Sequence, residues 1–395
     1  MRAPWPLAAA LLLAALLFTH SRPAAVLLYA LIVLWGGSTW LVRAVAARLV
    51  IRQRVAPTHV TPGHPVAIEV AVQNRSHLPL PWLWLREPVP VHLELSGRLQ
   101  AYTAVAPAAR SLMRFALRPQ RRGRYRVGHI AFRMGDWFGV ATLEGELDFD
   151  HWLTVYPAIL RLPPLPLSPL LPVGPRQDRR SPFHDDLTIG VRDYLPGDPW
   201  RAIAWKASAR HDRLQVRIYP RVRERSTTLL LDLNRPAWRG PAQHTALERA
   251  LSVAASYAWS QPTGHPLGLL TYGHTVRYVP EGAGTAIGAA RWLWLKPKPG
   301  LPQRRAVLEV LAGIDAADGG PDLPHLLSRA RAGLQPGEAL LILTAGHDAA
   351  GWLAASATAA RGHSVSILGF LPRPLPACPG VQVLPVTLDG EVRWA

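Results

Sequence analysis

From Ala24 to Val42 the chain carries no charged side chain. A run of this kind, close to the roughly 20 apolar residues a helix needs to cross hydrocarbon, constrains the fold more than any other feature of the sequence. An earlier run, Leu7 to Phe18, is also unbroken and apolar, and His20-Ser21-Arg22-Pro23 between the two reads as a tight turn. The pair predicts a two-helix transmembrane hairpin over residues 1–44. Arg43, Arg48, Arg52 and Arg54 follow the second run, whereas only Arg2 precedes the first and only Arg22 lies in the turn. Positive charge marks the cytoplasmic side, so both termini and everything after the hairpin are expected in the cytoplasm. Leu7–Phe18 also has the length of a leader peptide's apolar core. Cleavage after it would leave the second run as a single anchor.

The chain of 395 residues is long enough for two soluble domains beyond the apolar runs. Over residues 45–160 the period is two: Val66, Ile68, Val70 and Val72 alternate with Ala67, Glu69, Ala71 and Gln73. Val91, Leu93 and Leu95, then Tyr125 and Val127, then Trp152 to Tyr156 repeat the theme. Half-buried strands punctuated by Gly and Pro predict a β-sandwich-like domain. Prolines 157, 163, 164, 166, 169, 172 and 175 mark residues 161–189 as an extended linker. Over residues 223–395 the pattern changes to continuous apolar runs, Thr227–Leu231, Leu267–Tyr272, Ala339–Leu343, Val365–Phe370 and Val381–Val386. Helical stretches at Leu247–Ala258, Val307–Leu311, Leu323–Ala332 and Trp352–Ala360 lie between them. Strands buried on both faces and alternating with helices predict a doubly wound α/β domain.

Between linker and α/β domain, residues 190–222 hold the densest pattern in the chain. Arg192, Asp193, Arg201, Lys206 and Arg210 are interleaved with Tyr194, Trp200 and Trp205. Pro196-Gly197 is a turn pair. Asp198 suits a helix N-cap and Pro199 the first helical position, which predicts a helix over Trp200–Arg210. Arg192, Tyr194, Gly197, Asp198, Arg201, Ile203, Trp205, Lys206, Ser208, Ala209 and Arg210 together resemble the signature of the bacterial "domain of unknown function fifty-eight" family. Arg121-Arg122-Gly123-Arg124-Tyr125 is similar to a second family feature. Gly135-Asp136-Trp137-Phe138-Gly139 is similar to a third, with Trp137 where proline is usual. At these two features Gly123 and Gly139 are expected to serve turns, and Trp137 and Phe138 to fill a core. In the signature, Asp198 is expected to cap, Trp205 to enter a core, and Arg192, Asp193 and Arg201 to form an ion-pair network. Arg192, Asp193, Tyr194, Gly197, Asp198, Arg201, Trp205, Lys206 and Arg210 are then the candidate residues of a domain junction or docking surface.

The resemblance implies that the α/β domain is von Willebrand factor A-like. In that fold a divalent cation is held at the sheet's C-terminal edge by an Asp-x-Ser-x-Ser loop, a threonine and a second aspartate. Here Asp232 is retained, but the serine positions are Asn234 and Pro236, the threonine position is Pro321, and the second aspartate position is Ala345. Asp232 and Asn234 are remnants, too few oxygen donors for a hard cation, and no metal or other cofactor is expected. Asp232 is expected to cap a loop or pair with an arginine.

A net charge of +18 suggests nucleic acid or anionic lipid as an alternative partner. Only Lys206, Lys296 and Lys298 are lysines, the other 41 of 44 basic residues being arginine, which reads as compositional background and membrane-surface attraction. Cys378 is the single cysteine, so no disulfide or cysteine-rich metal site forms. Ser208, His211 and Asp212 are too close in sequence to build a catalytic triad. Phe183-His184-Asp185-Asp186 reads as a solvated loop, and Gly282-Ala283-Gly284-Thr285 lacks the lysine of a phosphate loop. A hydrolytic or metal-dependent enzyme is the remaining alternative. The reading is a non-enzymatic, membrane-anchored scaffold or adaptor. The resemblance further implies a bacterial inner-membrane location, a MoxR-type AAA+ ATPase as partner, and a transglutaminase-like membrane protein nearby.

Overall fold

The structure, a computed structural model of the full chain, describes residues 10, 14, 22–88, 93–96, 100–165, 190–196, 198, 200–218, 226–238, 243–279, 285–335, 338–346, 348–370, 378–388 and 392. The run Leu7–Phe18 lies almost wholly outside them, as do most of the proline-rich linker, the His184 loop and Gly282–Gly284. Helix α1 (Arg22–Ala46) is, among the described residues, the one helix long and apolar enough to cross a membrane. Arg22 and Pro23, expected in a turn, are its first residues, because proline's missing N–H costs nothing in the first turn of a helix. A second crossing helix is not among the described residues, so the structure supports one span where the hairpin predicts two. Its last turns pack Val42 and Val45 into the core of the domain that follows.

That domain is a pair of sheets. Strands β1 (Leu49–Ala56), β2 (His59–Val60), β3 (Val66–Asn74), β4 (Leu80–Arg86), β5 (Leu93–Ser96), β6 (Gln100–Val105), β7 (Arg110–Pro119), β8 (Gly123–Gly135) and β9 (Thr142–Val155) follow in order. One sheet runs β1-β3-β7-β5; the other holds β2, β9, β8, β4 and β6. The two-residue alternation of β3 buries Val66, Ile68, Val70 and Val72 against Leu83, Leu85, Val127 and Ile130 of the second sheet.

Strands β10 (Gly190–Asp193) and β11 (Gln215–Ile218) pair antiparallel as a separate two-stranded ribbon with helix α2 (Trp205–His211) between them.

The remainder alternates strand and helix. It comprises β12 (Thr227–Leu231), α3 (Gln243–Ser260), β13 (Leu267–Tyr278), β14 (Thr285–Ile287), β15 (Arg291–Lys298), α4 (Leu301–Gly313), β16 (Ile314–Asp315), α5 (Leu323–Arg331), β17 (Ala339–Thr344), α6 (Ala349–Ala359), β18 (Ser364–Gly369) and β19 (Val381–Pro385). Strands β19-β18-β17-β12-β13 are parallel neighbours, and β15 adds to β13 antiparallel as an edge. Every residue of β12 and β17 is buried, because helices cover both faces: α3 and α4 on one, α5 and α6 on the other. Before the linker leaves the described residues, Leu160, Leu162 and Leu165 lie on the first of these cores, and the Leu160 N–H donates to Ser256 Oγ at 2.7 Å.

The far end of β13 meets β8 in a single parallel bridge, Tyr278 to Tyr125, so the β domain and the α/β domain share one 13-stranded sheet.

Candidate functional site

The signature residues build a small unit of their own. Arg192 on β10 grips both carboxylate oxygens of Asp198, each at 2.7 Å, and donates to the Asp193 carbonyl at 3.0 Å. Asp198 also accepts the Leu195 N–H at 3.0 Å, closing the 195–198 turn. The guanidinium, followed by that N–H, holds the Asp198 carboxyl below the usual carboxylate range, and the hydrogen bond to Asp198 raises Arg192 above the ordinary arginine value. Gln215 donates from its side chain to Asp193.

This differs from the expected arrangement in four respects. Asp198 is no helix cap: α2 starts at Trp205, its N-cap is Ala204, and no side chain caps it. The helix is shorter than Trp200–Arg210 because Ile203 bridges to Val216 and the Ala204 N–H donates to the Gln215 carbonyl, so the chain at 203–204 is drawn into the ribbon. Only a 3-10 turn, Trp200–Ala202, precedes the break. Trp205 is 62% exposed, since none of the seven residues of α2 is buried. The network joins Arg192 to Asp198, not to Asp193. Gly197 and the Arg201 side chain lie outside the described residues.

The ribbon buries Ala202, Ile203, Ala204 and Val216 and turns its large apolar side chains outward. Val191, Leu195, Trp200, Trp205 and Leu214 are all exposed, with Tyr194 against Trp200 at 6.1 Å between ring centres. Lys206 and Arg210 are exposed beside them.

The junction between the two domains is built elsewhere, by the second quoted motif. Arg122, with its side chain 9% exposed, pairs with Glu248 of α3 at 2.8 Å and donates to the carbonyls of Ile314 at 2.7 Å and Leu311 at 3.2 Å. It thereby satisfies carbonyls at the end of α4. Tyr125 stacks on Tyr278 at 4.8 Å. Gly123, expected in a turn, instead opens β8 and leaves room for that ring: a Cβ there would lie 2.7 Å from Tyr278 Cε2. Arg124 of β8 and Arg277 of β13 both lie over the Trp152 ring, at 5.8 and 5.6 Å. The motif was visible in sequence; its partners, more than a hundred residues away, were not.

At the C-terminal edge of β12, Asp232 is 2% exposed. It accepts the Thr344 hydroxyl at 2.7 Å and the Asn234 N–H at 3.1 Å, so it caps its own loop. Burial pushes its carboxyl up to about 6. Asn234 Oδ1 is buried without a hydrogen-bond partner. A divalent ion of the kind implied by the family resemblance does not fit this donor set. Asp232 has both oxygens engaged, Pro236, Pro321 and Ala345 offer no side-chain oxygen, and one amide oxygen remains.

Residues 190–298, from the start of β10 to the end of β15, match the family described as "Protein of unknown function DUF58". The chain is 26% identical over 211 residues to "Uncharacterized protein YeaD" of Bacillus subtilis (strain 168), an overlap of 50% of this chain and 49% of that one. It therefore spans about half the length of that curated relative. Among solved structures, native alpha-2-macroglobulin from Escherichia coli is similar at 16% identity over 28% of this chain and 17% of that one, with a TM-score of 0.22. The CARDB domain of the PF1109 protein from Pyrococcus furiosus is similar at 16% identity over 25% and 90%, with a TM-score of 0.17. The segment from Gly190 to Lys298 is thus similar to the DUF58 family.

Proposed function

We propose that the chain is a non-enzymatic, membrane-anchored adaptor whose signature ribbon is the docking surface for a protein partner. The observation that carries this is the division of labour within the ribbon. Its charged residues Arg192, Asp193 and Asp198 are spent on hydrogen bonds within the ribbon, while Trp200, Trp205, Leu195, Val191 and Leu214 are each exposed. Aromatic residues held outward by a shaped loop are what protein interfaces use as anchors. The α/β domain is read as von Willebrand factor A-like. Its parallel order β19-β18-β17-β12-β13 with an antiparallel edge strand supports that reading, and so does the aspartate at the end of β12. A cleft of about 500 Å³ near the junction is walled mainly by apolar groups such as Pro57, Val60, Ile159 and Trp259, with His59 and His64 among its lining. Helix α1 anchors the chain in a bacterial inner membrane, and Arg43, Arg48, Arg52 and Arg54 after it put the soluble domains in the cytoplasm. A MoxR-type AAA+ ATPase is the partner we propose, supplying ATP energy where this chain supplies recognition.

The test is binding of the full chain, in nanodiscs, to such an ATPase with and without ATP. Trp200→Ala and Trp205→Ala, both at exposed positions, should abolish nucleotide-dependent binding while leaving the thermal midpoint in place. Binding that survives in both variants would move the interface off the ribbon. Absence of binding in every nucleotide state would remove the ATPase from the proposal.

A further inference from the structure

The Gly135–Gly139 turn, expected to fill a core, does the opposite. Trp137 is 60% exposed and Phe138 65% exposed. The turn is not loose. Asp136, itself 1% exposed, accepts the N–H groups of Phe138 at 3.0 Å and Ala141 at 2.8 Å, and its carbonyl accepts from the Trp82 indole at 3.0 Å. A buried carboxylate thus holds two large aromatic side chains out into the surroundings.

Its place in the molecule says what those surroundings are. Ser38 of α1 donates its hydroxyl to Asp136 Oδ2 at 3.1 Å. Ser38 lies within the uncharged run, about 7 Å along the helix axis before Arg43, the first charge after it. Trp35 and Trp40, both exposed, flank it on the helix. The turn therefore stands beside the last uncharged turns of the helix, at the depth where tryptophan collects at a bilayer boundary.

The same end of the β domain is basic. The segments following α1, β3 and β6 are tied together there, with the Arg75 N–H donating to the Arg48 carbonyl and the Ala108 N–H to the Ser76 carbonyl. With the last turn of α1 and the start of β7 they present Arg43, Arg48, Arg75 and Arg110 exposed. Over residues 43–49, 74–80, 105–110 and 135–142 the single acid is Asp136, which is buried.

The geometry points to a second membrane contact: Trp137 and Phe138 insert into the boundary of the bilayer crossed by α1, and the surrounding arginines meet anionic lipid headgroups. This rests on the membrane-anchored reading above. An exposed aromatic pair in that boundary gains from burial of its apolar surface, and the arginine rim adds attraction to anionic lipid. With α1 alone the β domain would swivel about one helix; with the turn inserted it is held at two points.

The experiment uses the full chain with Cys378→Ser, carrying one new cysteine labelled with an environment-sensitive fluorophore, in vesicles of phosphatidylethanolamine and phosphatidylglycerol. Labels go at Phe138→Cys in the turn, Val33→Cys on α1 and Leu353→Cys on α6, all exposed positions. Lipids with a doxyl quencher near the headgroup or deep in the chain report depth. The expected result is a label at 138 that loses most of its emission to the shallow quencher and little to the deep one, a label at 33 quenched strongly, and a label at 353 untouched. A label at 138 behaving like the one at 353, with 33 still quenched, overturns the insertion and leaves the anchor standing. A label at 33 that is not quenched overturns the anchor and the insertion together.

Discussion

Asp232 shows what one buried acid does to the chain's response to pH. Its carboxyl is pushed up to about 6 by burial, against an ordinary value of 3.8. Between those values the folded state holds more proton than the unfolded state, so stability falls as pH rises from about 4 to about 6, and the deficit persists above that window. A shift of this size corresponds to roughly 3 kcal/mol. Asp232→Asn keeps an acceptor for the Asn234 N–H and removes the titration. Denaturant unfolding in detergent across this range should show a shallower fall for the variant than for the parent. Equal slopes would assign the fall to other groups, Glu87 first, whose carboxyl is also raised by burial. Gly123 makes a steric counterpart. Gly123→Ala drives a methyl group into the Tyr278 ring and should cost about 1–3 kcal/mol in the same unfolding assay. A neutral result would show that the stacked pair gives way freely.

At the scale of elements, the ribbon inverts the usual relation between a residue's prominence and its structural weight. Trp200→Ala and Trp205→Ala should move unfolding by no more than about 0.5 kcal/mol, because both rings are exposed. Ile203→Ala should cost about 2–4 kcal/mol, because Ile203 is buried against β11. Asp198→Ala should release Arg192 and open the ribbon to trypsin; unchanged cleavage at Arg192 would show the turn to be held by its backbone alone. The buried strands were legible beforehand, since β12, β17 and β18 are covered on both faces and read as continuous apolar runs. Strand β15 was not, because an edge strand closing on Lys296-Pro297-Lys298 resembles a loop. The ribbon's residues were legible as a set, but not their pairing. Arg192 has acids one and six positions ahead of it, and only the turn's geometry selects Asp198. Aromatic character alone points Trp137, Phe138 and Trp205 to cores, but it carries no information about which way a backbone faces.

At the scale of the molecule, two domains with separate cores are coupled, among the described residues, through Arg122, the stacked Tyr125–Tyr278 pair, one strand bridge, the Arg124 and Arg277 guanidiniums over Trp152, and a His59–Glu309 pair. Arg122→Ala leaves Glu248 and the carbonyls of Leu311 and Ile314 without their donor. It should cost about 2–3 kcal/mol, because Glu248 regains some water when the arginine goes. Scanning calorimetry should then resolve two transitions where the parent gives more nearly one. A single unshifted transition would show that the tyrosines and the Trp152 sandwich suffice. The bridge between Tyr125 and Tyr278 is one residue pair wide in a sheet otherwise joined along several residues. Under a load applied between α1 and β19, that pair should be where the sheet parts first, with Arg122 as its catch. In an optical trap the first rupture should separate two still-folded bodies, the chain lengthening in one step before either unravels.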